Sequence, residues 1–313
     1  MRILAIINAR AGSASAQEGA VLREQLSTLF QARGIRAEIE LVEGEKISET
    51  ARRAVERAKA GEIDAVVVGG GDGTIRSVAE VLADTGISLG VLPLGTLNHF
   101  SKELGIADLE AAADAIAGGR LASVDAAEVN GRLFLNNSSV GLYPFLVQDR
   151  ERRQDEHGLA KWIATALASV RMLWRFPVRR LSITVAGSTT PHRTPLLFVG
   201  NNEYCLAPPA VGKRQRLDGG ELWVCVSKQQ SRLGLLLLAL RTAAGFSDPA
   251  RDLETMRAPA AEIRSRASRI PVAFDGEAEI MRPPLRYLSR PAALRVFVPE
   301  ADGGEEKRST GEI

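Results

Sequence analysis

Gly69, Gly70, Gly71, Asp72, Gly73 and Thr74 stand in a row directly after the apolar run 65–68. Small and β-branched residues at 65–68 read as a short buried strand, and residues 75–82 read as a helix. A strand that passes through glycines into a helix is a phosphate cradle. Glycine lets the backbone approach an anion closely, and the first-turn amides of the helix point at it. Asp72 is the discordant member: a carboxylate repels phosphate unless a cation stands between them, so it reads as a Mg²⁺-linked residue. A plain strand-to-helix turn whose acid caps the helix is the alternative that this loop alone leaves open. A second glycine-bearing turn, Pro93-Leu94-Gly95-Thr96-Leu97-Asn98, follows the apolar run 89–92. Two more carboxylates stand in Asp275-Gly276-Glu277, after the strand-like run 270–274, where Asp-Gly is equally a hairpin turn.

These loops need elements to hold them. Residues 2–7 read as a buried first strand that ends in Asn8-Ala9-Arg10. Val21, Leu22, Leu26, Leu29 and Phe30 recur at helical spacing, 37–41 reads as a strand, and 47–60 as a charged amphipathic helix stopped by Gly61. Strands alternating with helices over 1–122 predict a doubly wound, parallel α/β domain, in which ligands sit beyond the carboxyl ends of the strands. From residue 123 to 290 the pattern changes to strand-like segments at 124–129, 133–136, 181–185, 196–199, 222–226 and 270–274, which predicts an antiparallel β-rich domain. Helices at 159–176 and 233–245 interrupt it. A last strand at 293–298 is read as a C-terminal return to the first domain over 291–299, and 300–313 as a disordered tail.

The bulk composition narrows the class only slightly. The chain has 313 residues with 45% hydrophobic and 25% charged content, as in an ordinary globular protein. The net charge of +2 (40 minus 38) says little about partners. Cys205 and Cys225 fit neither a metal spacing nor a disulfide framework, and read as small hydrophobes in a reducing compartment. His99, His157 and His192 share no metal spacing. No signal peptide and no apolar run long enough to span a bilayer is visible, so the expected address is the cytoplasm.

With Gly70-Gly71-Asp72-Gly73-Thr74 followed by Pro93 to Asn98, and Asp275-Gly276-Glu277 near the end, the chain resembles the diacylglycerol kinase catalytic-domain family. This group includes bacterial lipid kinases and the sphingosine and ceramide kinases. The first motif alone is shared with NAD kinases and phosphofructokinases. Asp125 and the stretch 134–141 resemble the family's entry into its second domain. The resemblance covers roughly residues 1–300. It implies an α/β nucleotide-binding domain and a β-sandwich-like domain with the active cleft between them. It also implies ATP, Mg²⁺ and transfer of the γ-phosphoryl group to a lipid hydroxyl. On that basis Gly70, Gly71, Gly73 and Thr74 hold the nucleotide phosphates, and Asn8, Gly95, Thr96 and Asn98 line the nucleotide site. Asp72 acts through Mg²⁺ or near the hydroxyl, Asp275 is favoured as the base, and Glu277 stands close to nucleotide or metal.

Four departures bear on that carry-over. Asn8-Ala9 replaces the family's frequent Asn-Pro, which implies a less rigid first turn. Gly44-Glu45-Lys46 stands where a phosphate-touching threonine is usual, and Thr50 comes too late. In the segment resembling a structural Mg²⁺ site, Asp218 matches, but Arg216 stands where an acid is usual. Leu142-Tyr143-Pro144 carries no acid for a sphingoid amine, which weighs against that substrate.

Lys161, Arg171, Arg175, Arg179 and Arg180 stand in 158–180 with Trp162 and Trp174 and no acid. Such a helix packs on its own domain or lies peripherally on an anionic membrane surface. The expectation is an ATP- and Mg²⁺-dependent lipid kinase acting on diacylglycerol or a related lipid. The alternatives are a soluble NAD-kinase-like enzyme and a catalytically silent lipid- or nucleotide-binding regulator. No nucleic-acid partner is expected, and a homodimer is left open.

Overall fold

The computed structural model describes residues 1–10, 16–141, 178–206, 212–229, 234, 241 and 252–300. The expected helix at 159–176, most of that at 233–245, the segment 142–144, His157 and the tail beyond Glu300 lie outside them. Chain contacts divide the protein into two units. One holds Met1–Gly70, Ile87–Ala122 and Arg295–Ile313, and the other Gly71–Gly86 and Ser123–Leu294. The glycine loop therefore marks a division that a single linear boundary near residue 122 does not contain.

The first unit is built on β1 (Arg2–Asn8), β2 (Arg36–Val42), β3 (Ala65–Gly70) and β4 (Ser88–Pro93). They pair in parallel in the order β2-β1-β3-β4. Ile3 to Ile7 and Ala65 to Gly70 are buried, as the continuous apolar runs of a parallel sheet covered on both faces require. α1 (Ala16–Gln31) packs on β2, and α2 (Ile47–Lys59) packs on β1 and β3 through Ile47, Ala51, Ala54 and Val55. α3 (Asp72–Leu82) follows β3 in the chain but belongs to the second unit. After β4 come the short α4 (His99–Glu103) and α5 (Leu109–Gly118), which covers β4. Asp108 caps α5, accepting from the Ala111 amide at 2.8 Å, and Arg33, just past the end of α1, pairs with Glu110 and Asp114 of α5.

The second unit contains β5 (Leu121–Val129, from Ser123 on), β6 (Arg132–Phe134), β7 (Asn137–Gly141), β8 (Arg179–Val185), β9 (Ser188–Thr194), β10 (Leu196–Asn201) and β11 (Leu222–Ser227). It continues with β12 (Leu253–Ala258), β13 (Ala260–Ser265), β14 (Ile270–Phe274), β15 (Glu277–Met281) and the first part of β16 (Leu285–Phe297). One sheet runs β12-β11-β10-β7-β14-β15, every pair antiparallel. β13 pairs with β16 and β8, and β8 with β9, again antiparallel. Val140, Val199, Val224 and Phe274 of the six-stranded sheet share one core with Ile183, Ile263, Leu285 and Tyr287 of the other strands, which makes a β-sandwich. Along β8, Leu181, Ile183 and Val185 turn inward and the residues between them do not, the period-two signature of a strand with one covered face. The Tyr287 hydroxyl sits in this core and meets Ser138 Oγ at 3.1 Å. The end of β16 serves the first unit, where Arg295 and Val296 pair in parallel with Ser88 and Leu89 of β4.

Two sequence expectations are corrected. The expected strand at 133–136 ends at Phe134, because the Leu135 and Asn136 amides turn to a buried carboxylate instead of continuing a ladder. The helix expected over 75–82 begins at Asp72, because Gly71 is extended and its carbonyl accepts from both Thr74 and Ile75.

Candidate active site

In the first unit, the carboxyl ends of three strands, β1, β3 and β4, lie side by side. Gly70 pairs across the ladder with Pro93, and Gly69 with Ile7, one residue before Asn8. Order β2-β1-β3 places the reversal of strand order between β1 and β3, where doubly wound sheets bind ligands. The Asn8 turn is firmly held despite its lack of proline. Asn8 Oδ1 accepts from the Arg10 amide at 3.0 Å, and the Ala9 amide donates to the Val42 carbonyl at 2.8 Å, a bond that proline could not make. Asn98 has left-handed backbone geometry (φ 50°), and its side chain is committed to its own loop. Its Oδ1 accepts from the Gly95 amide at 2.9 Å, and its Nδ2 donates to the carbonyls of Gly95 at 2.8 Å and Pro93 at 3.2 Å. Asn98 shapes the loop, and Thr96 is its exposed polar side chain. Thr50 is buried on α2 and accepts from Arg53, so it offers no substitute for the missing threonine.

In the second unit, Asp72, Gly73 and Thr74 form the first turn of α3, with Asp72 half-buried and Thr74 buried. The positive end of the helix dipole and its first-turn amides favour an anion there. Asp275 and Gly276, with φ of 47° and 86°, make the two-residue turn of the β14–β15 hairpin, in which Phe274 pairs with Glu277. The hairpin and the site are thus one feature: the turn puts two carboxylates in different surroundings. Asp275 is buried. Its Oδ2 accepts from the Leu135 amide at 2.6 Å, and its Oδ1 from the Asn136 and Asn137 amides at 2.8 and 3.3 Å. Burial pushes its carboxyl above the ordinary range, opposed by those three amides and by the Arg76 charge.

Glu277 is the accessible one, with 48% of its side chain exposed. Its Oε1 occupies the space above Gly73: a Cβ on that glycine would fall 2.5 Å from it. Its Oε2 accepts from Nη2 of Arg76, a guanidinium that is 3% exposed and stacks 4.8 Å from the centre of the Phe274 ring. Two residues on along β15, Glu279 pairs with Arg132 of β6 at 2.8 Å.

A buried polar hub stands nearby in the chain's second unit. Asp125 is 3% exposed. Its Oδ2 accepts from the Gly220 amide at 2.6 Å and from Asn202 Nδ2 at 3.0 Å, and its Oδ1 from the Ala292 amide at 2.8 Å. Arg214 donates to the Leu135 and Asn201 carbonyls and to Asn136 Oδ1, tying down the same loop that caps Asp275.

Asp218 is brought to Arg216, not to another carboxylate. Its Oδ1 accepts from Arg216 Nε at 2.8 Å, and that bond holds its carboxyl below the usual range. No group of three or more His, Cys, Asp or Glu among the described residues could hold a metal ion. Asp218 does not suit a divalent cation because Arg216 already meets its charge. Without nucleotide, adding Mg²⁺ or EDTA is expected to move the thermal midpoint by less than about 1 °C, since a ligand stabilises only in proportion to its binding. A Mg²⁺-dependent rise of several degrees would contradict this. Asp72 does fit Mg²⁺, as a single half-exposed carboxylate at a helix start, because that ion takes one or two carboxylates and fills its shell with water and phosphate oxygens.

The remaining candidates have plain roles. Cys225 packs against Tyr204 and Trp223, and burial pushes its thiol up to about 12. Cys205 is half-buried, and neither of these two cysteines is in a disulfide. His192 pairs with Thr190 on β9, and His99 is exposed at the start of α4. Among the described residues no helix is long and apolar enough to cross a membrane.

The strand-glycine-helix motif on a parallel sheet, joined to a β-sandwich, defines the class. Residues 2–129 match the diacylglycerol kinase catalytic domain, and residues 148–298 match the YegS C-terminal NAD kinase beta sandwich-like domain. The chain belongs to this lipid-kinase family. A protein of Pseudomonas putida named "Probable lipid kinase YegS-like" is 31% identical over 260 residues, covering 80% of this chain and 82% of that protein. A Pseudomonas aeruginosa protein of the same name is 48% identical, but the alignment spans only 29% of this chain and 31% of that relative. A Bacillus subtilis protein named diacylglycerol kinase is 39% identical over 32% of this chain and 34% of its own length. A solved structure titled as a diacylglycerol kinase from Bacillus anthracis shares the fold, with a TM-score of 0.65 and 21% identity over 95% of this chain and 96% of its own.

Proposed function

We propose that this chain transfers the γ-phosphoryl group of ATP to the hydroxyl of diacylglycerol or a related lipid, with Glu277 as the general base. The observation that carries the reading is a half-exposed carboxylate standing over Gly73, in the first turn of the helix that follows the glycine loop. Gly70, Gly71, Gly73 and Thr74 hold the phosphates through backbone amides and the helix dipole, and Gly95, Thr96 and Asn8 serve the nucleotide. Asp72 holds Mg²⁺, which when bound neutralises phosphate charge. Glu277 takes the hydroxyl proton while the oxygen bonds to the γ-phosphorus; the bond to the bridging oxygen of ADP breaks, and ADP leaves. Asp275, first favoured as the base, keeps a supporting part: with both oxygens held by backbone amides in a buried turn, it fixes the hairpin that presents Glu277. Lipid acceptors bring the reaction to a membrane surface, where the protein acts peripherally.

The test is transfer from ATP, with and without Mg²⁺, to diacylglycerol, monoacylglycerol, ceramide and sphingosine in mixed micelles. Mg²⁺-dependent transfer to a glycerolipid is expected, and Asp72→Asn should abolish most of it. Transfer to none of the lipids, with ATP still bound, favours the silent regulator instead.

A further inference from the structure

Arg76 lies one helical turn beyond Asp72, and its surroundings are unusual for an arginine. It is 3% exposed, so a full charge is held away from water, which is tolerated only with a compensating partner. Among the described residues its ion-pair partner is Glu277, 201 positions away in the chain. Among the described residues its Nε and Nη1 are buried without a hydrogen-bond partner, and its Cζ lies over the Phe274 ring, 4.8 Å from the centroid. The guanidinium is therefore held by the Phe274 ring and by the ion pair with Glu277.

The other end of that ion pair is fixed by space. Glu277 Oε2 goes to Arg76, and Oε1 is left above Gly73, where any side chain at 73 would displace it. Phe274, against which Arg76 stacks, is also the residue that pairs with Glu277 across the hairpin. The carboxylate is thus held from three sides: by the turn, by the guanidinium and by the gap at glycine.

We propose that Arg76 is a positioning residue for the phosphoryl-transfer reaction: it clamps one oxygen of Glu277 so that the other is presented at the first turn of α3. This rests on the assignment of Glu277 as the base. Geometric control of a base affects the chemical step and leaves ground-state binding of nucleotide alone.

The experiment is a double-mutant cycle on the full chain, with kcat and the KM for ATP measured for wild type, Arg76→Met, Glu277→Gln and the double variant, and melting curves run on each. Arg76→Met is expected to lower kcat about 10- to 100-fold, with the KM for ATP within about twofold of wild type. Added to Glu277→Gln, it is expected to cost less than about threefold, because a residue that acts only through Glu277 has nothing left to position. Arg76→Lys, which keeps the charge, should recover part of kcat. If Arg76→Met does not fold, Arg76→Gln takes its place in the cycle. Wild-type kcat in the single variant, or fully additive losses in the double, overturns the proposal. If Glu277→Gln itself keeps wild-type kcat, the assignment of the base fails, and the positioning role fails with it. If the wild type prefers an acceptor other than a lipid, the cycle is run with that acceptor, and its coupling decides on Arg76 independently of the lipid reading.

Discussion

Glu277→Gln is expected to lower phosphoryl transfer by about 10²- to 10⁴-fold, the usual contribution of a positioned general base. The substitution keeps the shape of the side chain, so the KM for ATP should change little, but the buried Arg76 loses its counter-charge and the melting midpoint should fall. The neighbouring Asp275→Asn should differ in its effect on the rate. An amide offers one acceptor oxygen where the carboxylate offers two, so either the Leu135 amide or the Asn136 and Asn137 amides would face an NH₂ group. That costs about 1–3 kcal/mol of stability. The Asp275 variant should therefore show a lower melting midpoint with a retained rate in its folded fraction, and the Glu277 variant a lost rate in its folded fraction. Rates and melts on both variants check this. A Glu277→Gln enzyme within threefold of wild type would remove Glu277 from the chemistry.

Asp125→Ala carries the largest expected loss of stability. Asp125 accepts from the Asn202 side chain and from the amides of Gly220 and Ala292, and so joins three distant stretches of the second unit. Alanine leaves three donors without their acceptor in a site that is 3% exposed. At about 1–3 kcal/mol for each orphaned donor, partly relieved by entering water, the loss is about 3–5 kcal/mol. This corresponds to a drop of about 10 °C in midpoint for a unit of this size. Asp125→Asn keeps one acceptor oxygen and should fall between the alanine variant and wild type. A denaturant or thermal melt measures it, and an alanine variant with a wild-type midpoint would show that the hub is dispensable.

Much of the frame was legible because its signals are local. The run 65–68 is apolar throughout, as a central parallel strand must be, and Ile47, Ala51, Ala54 and Val55 mark the buried stripe of α2. The three motifs point to the family on sequence alone. What stayed hidden depends on distant partners or on weak patterns. α5 is rich in alanine, so it has little apolar contrast between its faces, although Asp108 and Gly119 at its ends were readable as caps. β9 and β15 are edge strands, and the inward positions of β9, Thr190, His192 and Thr194, are polar, so its alternation leaves little hydrophobic pattern to read. Asp275 and Glu277 stand two residues apart and look alike in sequence. Only the turn, which buries one beneath the amides of 135–137 and leaves the other at the start of α3, separates them. The ion pair of Arg76 with Glu277 spans most of the second unit's sequence and leaves no local trace. A cation one helical turn past Asp72 was the only available hint.

The most direct test of the account offers diacylglycerol and NAD together, in excess, to the purified chain with ATP labelled at the γ-phosphate. The account predicts that the label appears in phosphatidic acid, and that Glu277→Gln removes it. Label in NADP, with none in lipid, would contradict it.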